Sequence, residues 1–302
     1  MHLSLVINRS AGAFRRLPLE PTATSIAEIF RNAGHRVDMA ICGHRDLSAT
    51  LSTLAGRDDM DAVVIGGGDG TILTAILAGL GRDRPLGLLP LGTMNLLARD
   101  LDLPQDPFEA ARRLTRTEAV AIDLAEVNGV PFAIWASMGM HPWMVRRRDH
   151  LQRGGMHKWP AMALAALRAL RRYPLVRASV TVDDETTEVA TPALVVTNNP
   201  WRDNRPPFHR VALAGDLLEV HVVRCATRLS LIWLAINALI GHWRIARLLA
   251  SYRAETLRVV NRHRRVMLSL DGEVTVMHLP LIFRKRPKAL LVMMPTDGGT
   301  GP

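Results

Sequence analysis

The sequence predicts an α/β protein with two domains, of which the first contains a parallel sheet and the second is β-rich. Two observations lead to this prediction: strand and helix patterns alternate up to Val120, and most segments after Val120 have the pattern of strands. Alternation of this kind is typical of a parallel sheet covered by helices. A chain of 302 residues, 48% of them apolar, is long enough for two domains with substantial cores.

The N-terminal domain is predicted to span residues 1–120. Its strands are predicted from short apolar runs: Leu3–Ile7, His35–Ile41, Asp61–Ile65 and Leu86–Leu89. Its helices are predicted from apolar residues at helical spacing: Thr22–Asn32, Asp46–Leu54, Thr71–Leu80 and Pro107–Leu114. The carboxyl ends of parallel strands lie along one edge of a sheet, where ligands bind, so the residues that follow these strands are candidates for a site.

The second domain is predicted to span residues 121–295, followed by a disordered tail at 296–302. Its strand-like segments are Val120–Val127, Pro131–Ser137, Arg177–Asp183, Thr187–Thr197, Leu217–Val223, Leu257–Val260, Arg265–Leu270 and Leu290–Met294. Asn128-Gly129 predicts a two-residue hairpin turn. Helical patterns at Trp143–Arg172 and Leu229–Ile240 interrupt the strands, and the second is too short to span a bilayer.

A glycine-rich turn, Gly66–Thr71, follows the third predicted strand and precedes a helix. Glycines allow successive N–H groups to converge on one point, and a helix N-terminus adds further amides and a positive dipole end. We therefore expect Gly67, Gly68, Gly70 and Thr71 to cradle a phosphate. The turn is not a Walker loop, which needs a lysine, and Thr71 stands where a dinucleotide fingerprint has its third glycine.

Asp69 lies in the middle of this cradle, where a carboxylate repels phosphate unless a divalent cation stands between them. Asp69 is therefore predicted to bind Mg²⁺ at a nucleotide. The alternative is that Asp69 caps the helix that follows the turn.

Two further turns follow strands of the same predicted sheet. Pro90–Asp100 opens another helix after the fourth strand, with Thr93 and Asn95 as candidate polar ligands, and Asn8–Gly12 follows the first strand. We expect Asn8, Ser10 and Gly12 to share one nucleotide site with the glycine-rich turn, because all three turns lie at the same predicted edge.

Together these residues resemble the diacylglycerol kinase catalytic-domain family, which includes sphingosine kinases and bacterial lipid kinases. The motifs that carry the resemblance are Gly67–Thr71, Pro90–Thr93 with Asn95, Asn8-x-Ser10-x-Gly12, Asp123-Leu124, Gly139 and Leu270–Glu273. The resemblance implies a Rossmann-like N-terminal domain, a β-sandwich second domain, ATP and Mg²⁺ as cofactors, and transfer of phosphate to a lipid hydroxyl of the diacylglycerol or sphingoid type.

Phosphoryl transfer also needs a group that accepts the proton of the acceptor hydroxyl. The resemblance implies that Asp271 or Glu273 is this base, and the sequence does not choose between them. The alternative is an ordinary Asp-Gly hairpin turn. Asp123 is a second candidate for holding the cation. Ile134 and His141 stand where the family usually has asparagine and aspartate, and we interpret His141 as structural or surface.

The net charge of +10 predicts attraction to a polyanion. Many of the arginines lie beside the apolar helical stretches Trp159–Leu170 and Leu229–Trp243: Arg146, Arg147, Arg148, Arg171, Arg172, Arg244 and Arg247. This placement favours peripheral contact with an anionic membrane. We expect no nucleic-acid partner, because no recognition motif or set of stacking aromatics is found.

The two cysteines, Cys42 and Cys225, are far apart in the sequence and fit a reducing compartment. We expect a cytoplasmic protein at the inner membrane surface, with the oligomeric state open and a homodimer among the choices. Three other functions remain as alternatives: an NAD kinase-like enzyme, a non-catalytic nucleotide- or lipid-sensing module of the same fold, and a basic nucleic-acid-binding protein.

Overall fold

The computed structural model describes residues 1–172, 175–182, 185–200, 215, 217–224, 227–239 and 248–296. The predicted tail beyond residue 296 lies outside these residues, as do Cys225, Arg244 and Arg247. The chain divides into two compact units. Unit 1 comprises Met1–Leu124 and the C-terminal residues from Pro287, and unit 2 comprises Ala125–Arg286.

The strands of the described residues are β1 (His2–Asn8), β2 (Arg36–Cys42), β3 (Ala62–Gly67), β4 (Leu86–Pro90), β5 (Thr117–Val127), β6 (Val130–Phe132), β7 (Trp135–Gly139), β8 (Val176–Val182), β9 (Glu185–Thr191), β10 (Ala193–Thr197), β11 (Leu218–Val223), β12 (Leu249–Ala254), β13 (Thr256–Val260), β14 (Arg265–Leu270), β15 (Glu273–His278) and β16 (Leu281–Pro295). The helices are α1 (Leu19–Asn32), α2 (His44–Ala55), α3 (Asp69–Leu77), α4 (Leu96–Asp100), α5 (Pro107–Arg113), α6 (Met140–Arg153), α7 (Lys158–Arg172) and α8 (Arg228–Leu239).

Unit 1 contains a parallel sheet in the order β2-β1-β3-β4-β16. All residues of β3 and β4 are buried, as expected of strands covered by helices on both faces. The sheet thus places the carboxyl ends of β1, β3 and β4 next to each other, which is where the three predicted ligand turns begin. The prediction of a Rossmann-like parallel α/β domain is confirmed.

The compact units differ from the predicted boundaries at 120 and 295, because β16 contributes to both units. Its first residues, Leu281–Arg284, pair with β13 in unit 2, whereas Val292 pairs with Leu86 of β4 in unit 1. The sequence pattern indicated only the apolar part of this strand, Leu290–Met294. The charged residues that precede it concealed the rest of the strand and its return to unit 1.

Unit 2 contains an antiparallel sheet in the order β12-β11-β10-β7-β14-β15. A second antiparallel set is formed by β9, β8, β13 and the first residues of β16. This arrangement confirms the predicted β-rich sandwich. Asn128 and Gly129 both have positive φ, 50° and 81°, so the predicted hairpin turn joins β5 to β6.

No helix among the described residues is both long enough and apolar enough to cross a membrane.

Candidate functional site

The turn between β3 and α3 is tightly packed and leaves the helix N-terminus uncapped. Thr71 N–H donates to Gly68 O over 2.9 Å, and a methyl group added at Gly67 would lie 2.5 Å from Thr71 Cβ. Only glycine fits at position 67 with this turn in place. The N-cap residue of α3 is Gly68, and no side chain caps the helix. The first amides of α3 are therefore suited to bind an anion.

The second loop lies directly against the first. Leu91 N–H donates to Gly67 O over 3.1 Å, and a methyl group at Gly92 would lie 2.4 Å from Gly68 Cα. Since the obstructing atom belongs to the backbone, Gly92 cannot gain a side chain without moving one of the loops. The close approach of Gly68 and Gly92 fixes the position of one loop against the other.

Asp69 joins these two loops through its side chain. Its Oδ1 accepts from Leu96 N–H over 2.6 Å and from Leu97 N–H over 3.4 Å, at the start of α4. The alternative that Asp69 caps its own helix is therefore wrong, because its carboxylate binds the start of α4 instead. Burial raises the pKa of the Asp69 carboxyl above 3.8, and the amides of Leu97 and Leu96 oppose the shift.

The turn after β1 contacts both glycine loops. Asn8 Nδ2 donates to Thr71 Oγ1 over 2.9 Å, and Asn8 Oδ1 accepts from Ser10 N–H over 2.9 Å. A methyl group at Gly12 would lie 3.1 Å from Thr93 Oγ1. The structure thus brings the predicted ATP residues together in three adjoining turns of unit 1. Their binding of ATP stays a prediction.

Asn95 has features that the sequence did not predict. It adopts the left-handed conformation with a φ of 50° and is 5% exposed, and its buried Oδ1 has no hydrogen-bond partner among the described residues. Its Nδ2 makes long contacts of 3.4 Å with Gly92 O and Gln105 Oε1. A buried acceptor without a partner is costly, so a donor from a bound molecule would be stabilising here. This atom fits a nucleotide site at the second loop.

The two residues predicted to hold the metal lie in different surroundings. Asp69 stands beside the cradle, whereas Asp123 is buried in β5 and its Oδ1 accepts from Lys288 N–H over 2.8 Å. The described residues contain no cluster of three or more His, Cys, Asp and Glu side chains able to hold a metal ion. Mg²⁺ commonly takes one or two carboxylates and completes its coordination with phosphates and water, so Asp69 fits this role.

The acidic turn of unit 2 gives its two carboxylates different environments. Asp271 has a φ of 47°, is 9% exposed, and accepts hydrogen bonds from three backbone amides. These donors are Ala133 N–H at 2.7 Å, Ile134 N–H at 2.8 Å and Trp135 N–H at 2.9 Å. Glu273 begins β15 and is exposed. The geometry therefore favours a structural role for Asp271 and leaves Glu273 as the better candidate base.

The two positions that depart from the family pattern have structural contacts. The Ile134 amide is one of the three that bind Asp271, so its contribution comes from the backbone. His141 Nδ1 lies 2.8 Å from Ser137 Oγ, and its ring packs edge-on against Trp135. Burial lowers the pKa of His141 from 6.5 to about 4, with a smaller contribution from the Arg148 charge. His141 is therefore neutral at neutral pH.

Two family models match most of the chain. The diacylglycerol kinase catalytic domain matches residues 2–127, and the YegS C-terminal NAD kinase beta sandwich-like domain matches residues 139–294. The chain belongs to the diacylglycerol kinase catalytic-domain family. The predicted resemblance is confirmed by these matches. They divide the chain in the same order as the α/β unit and the β-rich unit of the structure.

Curated members of the family resemble parts of this chain. A protein from Cronobacter sakazakii named "probable lipid kinase YegS-like" is 35% identical over 130 residues, which are 40% of this chain and 44% of that protein. A protein of the same name from Chromohalobacter salexigens is 34% identical over 114 residues, or 36% of either chain. The chain spans less than half the length of these curated relatives.

Solved structures share the fold over nearly the whole chain. A diacylglycerol kinase from Bacillus anthracis is 17% identical and superposes with a TM-score of 0.70, covering 98% of this chain and 97% of the other. A second structure from the same organism is 19% identical and has a TM-score of 0.77 over the same shares. At this level of identity the likeness concerns the fold alone.

Proposed function

We propose that the protein is an ATP- and Mg²⁺-dependent lipid kinase that transfers the γ-phosphate of ATP to the hydroxyl of a diacylglycerol- or sphingoid-type lipid. The contact of the three turns in unit 1 carries this proposal. They surround an uncapped helix N-terminus, with Asp69 bound to the second loop and a buried Asn95 oxygen that has no hydrogen-bond partner in the described part of the chain. The family of the chain and the lipid kinase names of its relatives support the proposed reaction.

The residues of unit 1 would bind and orient the nucleotide. The amides at Gly68–Gly70 would donate to phosphate oxygens, and Asn8 holds the Thr71 hydroxyl beside them. Asn95 Oδ1 would accept from a nucleotide N–H or O–H. Asp69 would hold Mg²⁺, which would supply the positive charge needed to neutralise the charge that develops on the phosphate. The amides of Leu96 and Leu97 keep the Asp69 carboxylate in place for this purpose.

Unit 2 would supply the base. The lipid hydroxyl oxygen forms a bond to the γ-phosphorus, the bond from that phosphorus to the bridging oxygen of ADP breaks, and the hydroxyl proton passes to Glu273. Asp271 would act as a positioning residue, because its hydrogen bonds with three backbone amides fix the turn that precedes Glu273.

Transfer of radiolabel from γ-labelled ATP to lipid tests the proposal. The protein should label diacylglycerol or sphingosine dispersed in detergent, and the label should require Mg²⁺. Asp69→Asn retains an acceptor for the α4 amides but loses the charge, so this variant should remain folded and need a higher Mg²⁺ concentration for half-maximal rate. Absence of labelled product with every acceptor would refute the reaction, and an unchanged Mg²⁺ requirement in Asp69→Asn would refute the role of Asp69.

An NAD kinase-like activity is the second candidate, since the model that matches residues 139–294 describes an NAD kinase beta sandwich-like domain. The same assay with NAD in place of lipid separates the two. Labelled NADP with no labelled lipid would favour the second candidate. Tight ATP binding with no transfer to lipid or NAD would instead indicate a non-catalytic sensing module.

A further inference from the structure

We propose that α6, α7 and α8 of unit 2 form a docking surface for an anionic phospholipid bilayer. This inference deepens the proposed function, which requires access to a membrane lipid, by naming the surface that makes the contact. Two features of these helices carry it: an apolar stripe on α8 and a cationic pocket between α6 and α7.

The apolar stripe consists of four exposed side chains on one face of α8. They are Leu229, Ile232, Trp233 and Ile236, with exposed fractions of 78%, 38%, 57% and 49%. Their spacing of three, one and three residues places them in a line along the helix. Leu231 and Leu234, on the other side of α8, are buried in a cluster with Val223. The helix is thus anchored by one side and has a contiguous apolar stripe on the other, which marks an interaction surface.

The cationic pocket has a volume of about 620 Å³ and lies between α6 and α7. It is lined by Trp143, Arg146, Arg147, His150, Arg168 and Arg171. Within the described part of the chain, none of these four guanidinium groups forms an ion pair with a carboxylate, and Arg168 Nη1 is buried without a hydrogen-bond partner. Several unpaired guanidinium groups around one cavity are suited to bind a phosphate group.

Direct contacts join the stripe to the pocket. Arg228, the first residue of α8, donates from Nη2 to Arg171 O at the end of α7 over 2.8 Å. Leu170 of α7 packs against the cluster that holds Leu231 and Leu234. The two features therefore belong to one continuous surface of unit 2.

The chemistry of this surface matches an anionic bilayer. Apolar side chains and a tryptophan enter the boundary between headgroups and acyl chains, while neighbouring arginines bind phosphate groups. The net charge of +10 adds a general attraction to a negative surface. The stripe alone would also suit a protein partner, but the adjoining pocket of unpaired arginines favours phosphate headgroups.

Flotation with vesicles, without ATP, tests the surface. The vesicles contain phosphatidylcholine alone or an equal mixture with phosphatidylglycerol. The protein should bind the mixed vesicles, and binding should weaken as salt is raised. Leu229→Ser with Trp233→Ser should lower the partition coefficient about tenfold through lost apolar burial. Arg168→Gln with Arg171→Gln should lower it about tenfold or more, and only for the anionic vesicles.

Two matched control variants remove apolar side chains or arginine charges at exposed positions outside α6, α7 and α8. Leu77→Ser with Val276→Ser removes two apolar side chains that are 50% and 57% exposed, and Arg112→Gln with Arg113→Gln removes two exposed arginine charges from α5. Both controls should bind like the unchanged protein, and circular dichroism should show all variants folded. Equal binding by test and control variants, or no binding of the unchanged protein, overturns the proposal. So does a dimer that Leu229→Ser with Trp233→Ser dissociates while vesicle binding is kept.

Transfer to detergent-dispersed lipid, measured on the same samples, separates this inference from the proposed function. Variants that lose vesicle binding but keep transfer support the surface. If the unchanged protein binds anionic vesicles through this surface but transfers no phosphate, the kinase proposal fails and the docking surface stands.

Discussion

Asp69 in unit 1 and Asp271 in unit 2 both lie in short motifs and both bind backbone amides of another segment, but they leave different groups for chemistry. Asp69 uses one carboxylate oxygen for the start of α4 and stands beside an uncapped helix N-terminus. Asp271 binds three amides, and its neighbour Glu273 is exposed. The comparison indicates that the number of backbone amides bound by a motif aspartate decides how much of its carboxylate remains available to a ligand.

Replacement of Glu273 is expected to have the largest effect. Glu273→Gln removes the proposed proton acceptor, so turnover with lipid should fall about 10²- to 10⁴-fold. Stability to urea should not change, because the side chain is exposed. The control is Glu255→Gln, the same change at another exposed glutamate of unit 2. A normal rate in Glu273→Gln would remove the distinction between the two carboxylates of this turn.

Removal of the Asp271 carboxylate should lower the stability of the fold, because Asp271 is proposed to position the turn and not to accept the proton. Asp271→Ala leaves three amides without their acceptor, and we expect a loss of about 3 kcal/mol or more in the free energy of unfolding. Asp271→Asn retains acceptor oxygen and should lose less. Urea unfolding measures both. A stable Asp271→Ala protein with no turnover would mean that Asp271, and not Glu273, is the base.

The contact between the glycine loops of unit 1 can be broken by a single methyl group. Gly92→Ala places Cβ 2.4 Å from Gly68 Cα, so the loops must separate. We expect a loss of about 2 kcal/mol in stability and a markedly weaker affinity for ATP, measured by urea unfolding and calorimetry. Gly56→Ala is the matched control, because its Cβ would meet only Thr53 O at an ordinary 3.7 Å. Equal ATP affinity in the two variants would contradict the shared site.

Acidification should destabilise the protein through the buried ring of His141 in unit 2. The pKa of His141 is about 4 in the folded chain against 6.5 as its ordinary value, so between these pH values only the unfolded chain takes up the proton. Stability is therefore lost as pH falls, by about 2 kcal/mol between pH 7.5 and pH 5. Urea unfolding at both pH values measures this loss of stability, and the loss should be smaller in His141→Gln than in the unchanged protein. The exposed His150→Gln on the same helix should keep it, and identical pH profiles for the two variants would count against the shift.

The sequence predicted the parallel sheet well because its strands are continuous apolar runs between glycine turns. The structure extends β1, β3 and β4 by only one or two residues beyond the predicted Leu3–Ile7, Asp61–Ile65 and Leu86–Leu89. The meeting of the three turns followed from the rule that ligand turns share one edge of such a sheet. Local pattern and topology were therefore sufficient to bring the predicted nucleotide residues together.

Contacts between segments that are far apart in the chain could not be predicted from the sequence. The hydrogen bond between Leu96 N–H and Asp69 joins residues 27 positions apart in the sequence, and the one between Ala133 N–H and Asp271 joins residues 138 positions apart. No local signal marks the left-handed backbone of Asn95 or the burial of its Oδ1, which has no hydrogen-bond partner among the described residues. The exposed stripe of α8 was visible only as an apolar helix, because its sequence does not reveal which face packs inward.

The strand β16 has a consequence for how the protein is made. Its last residues complete the sheet of unit 1, although more than 160 residues separate them from the end of the N-terminal segment at Leu124. During synthesis, the apolar strand β4 therefore stays at an open edge until β16 leaves the ribosome, which exposes the nascent chain to aggregation. A fragment that stops at residue 124 should be insoluble, whereas joining the segment from Pro287 to it through a short linker should restore a soluble domain.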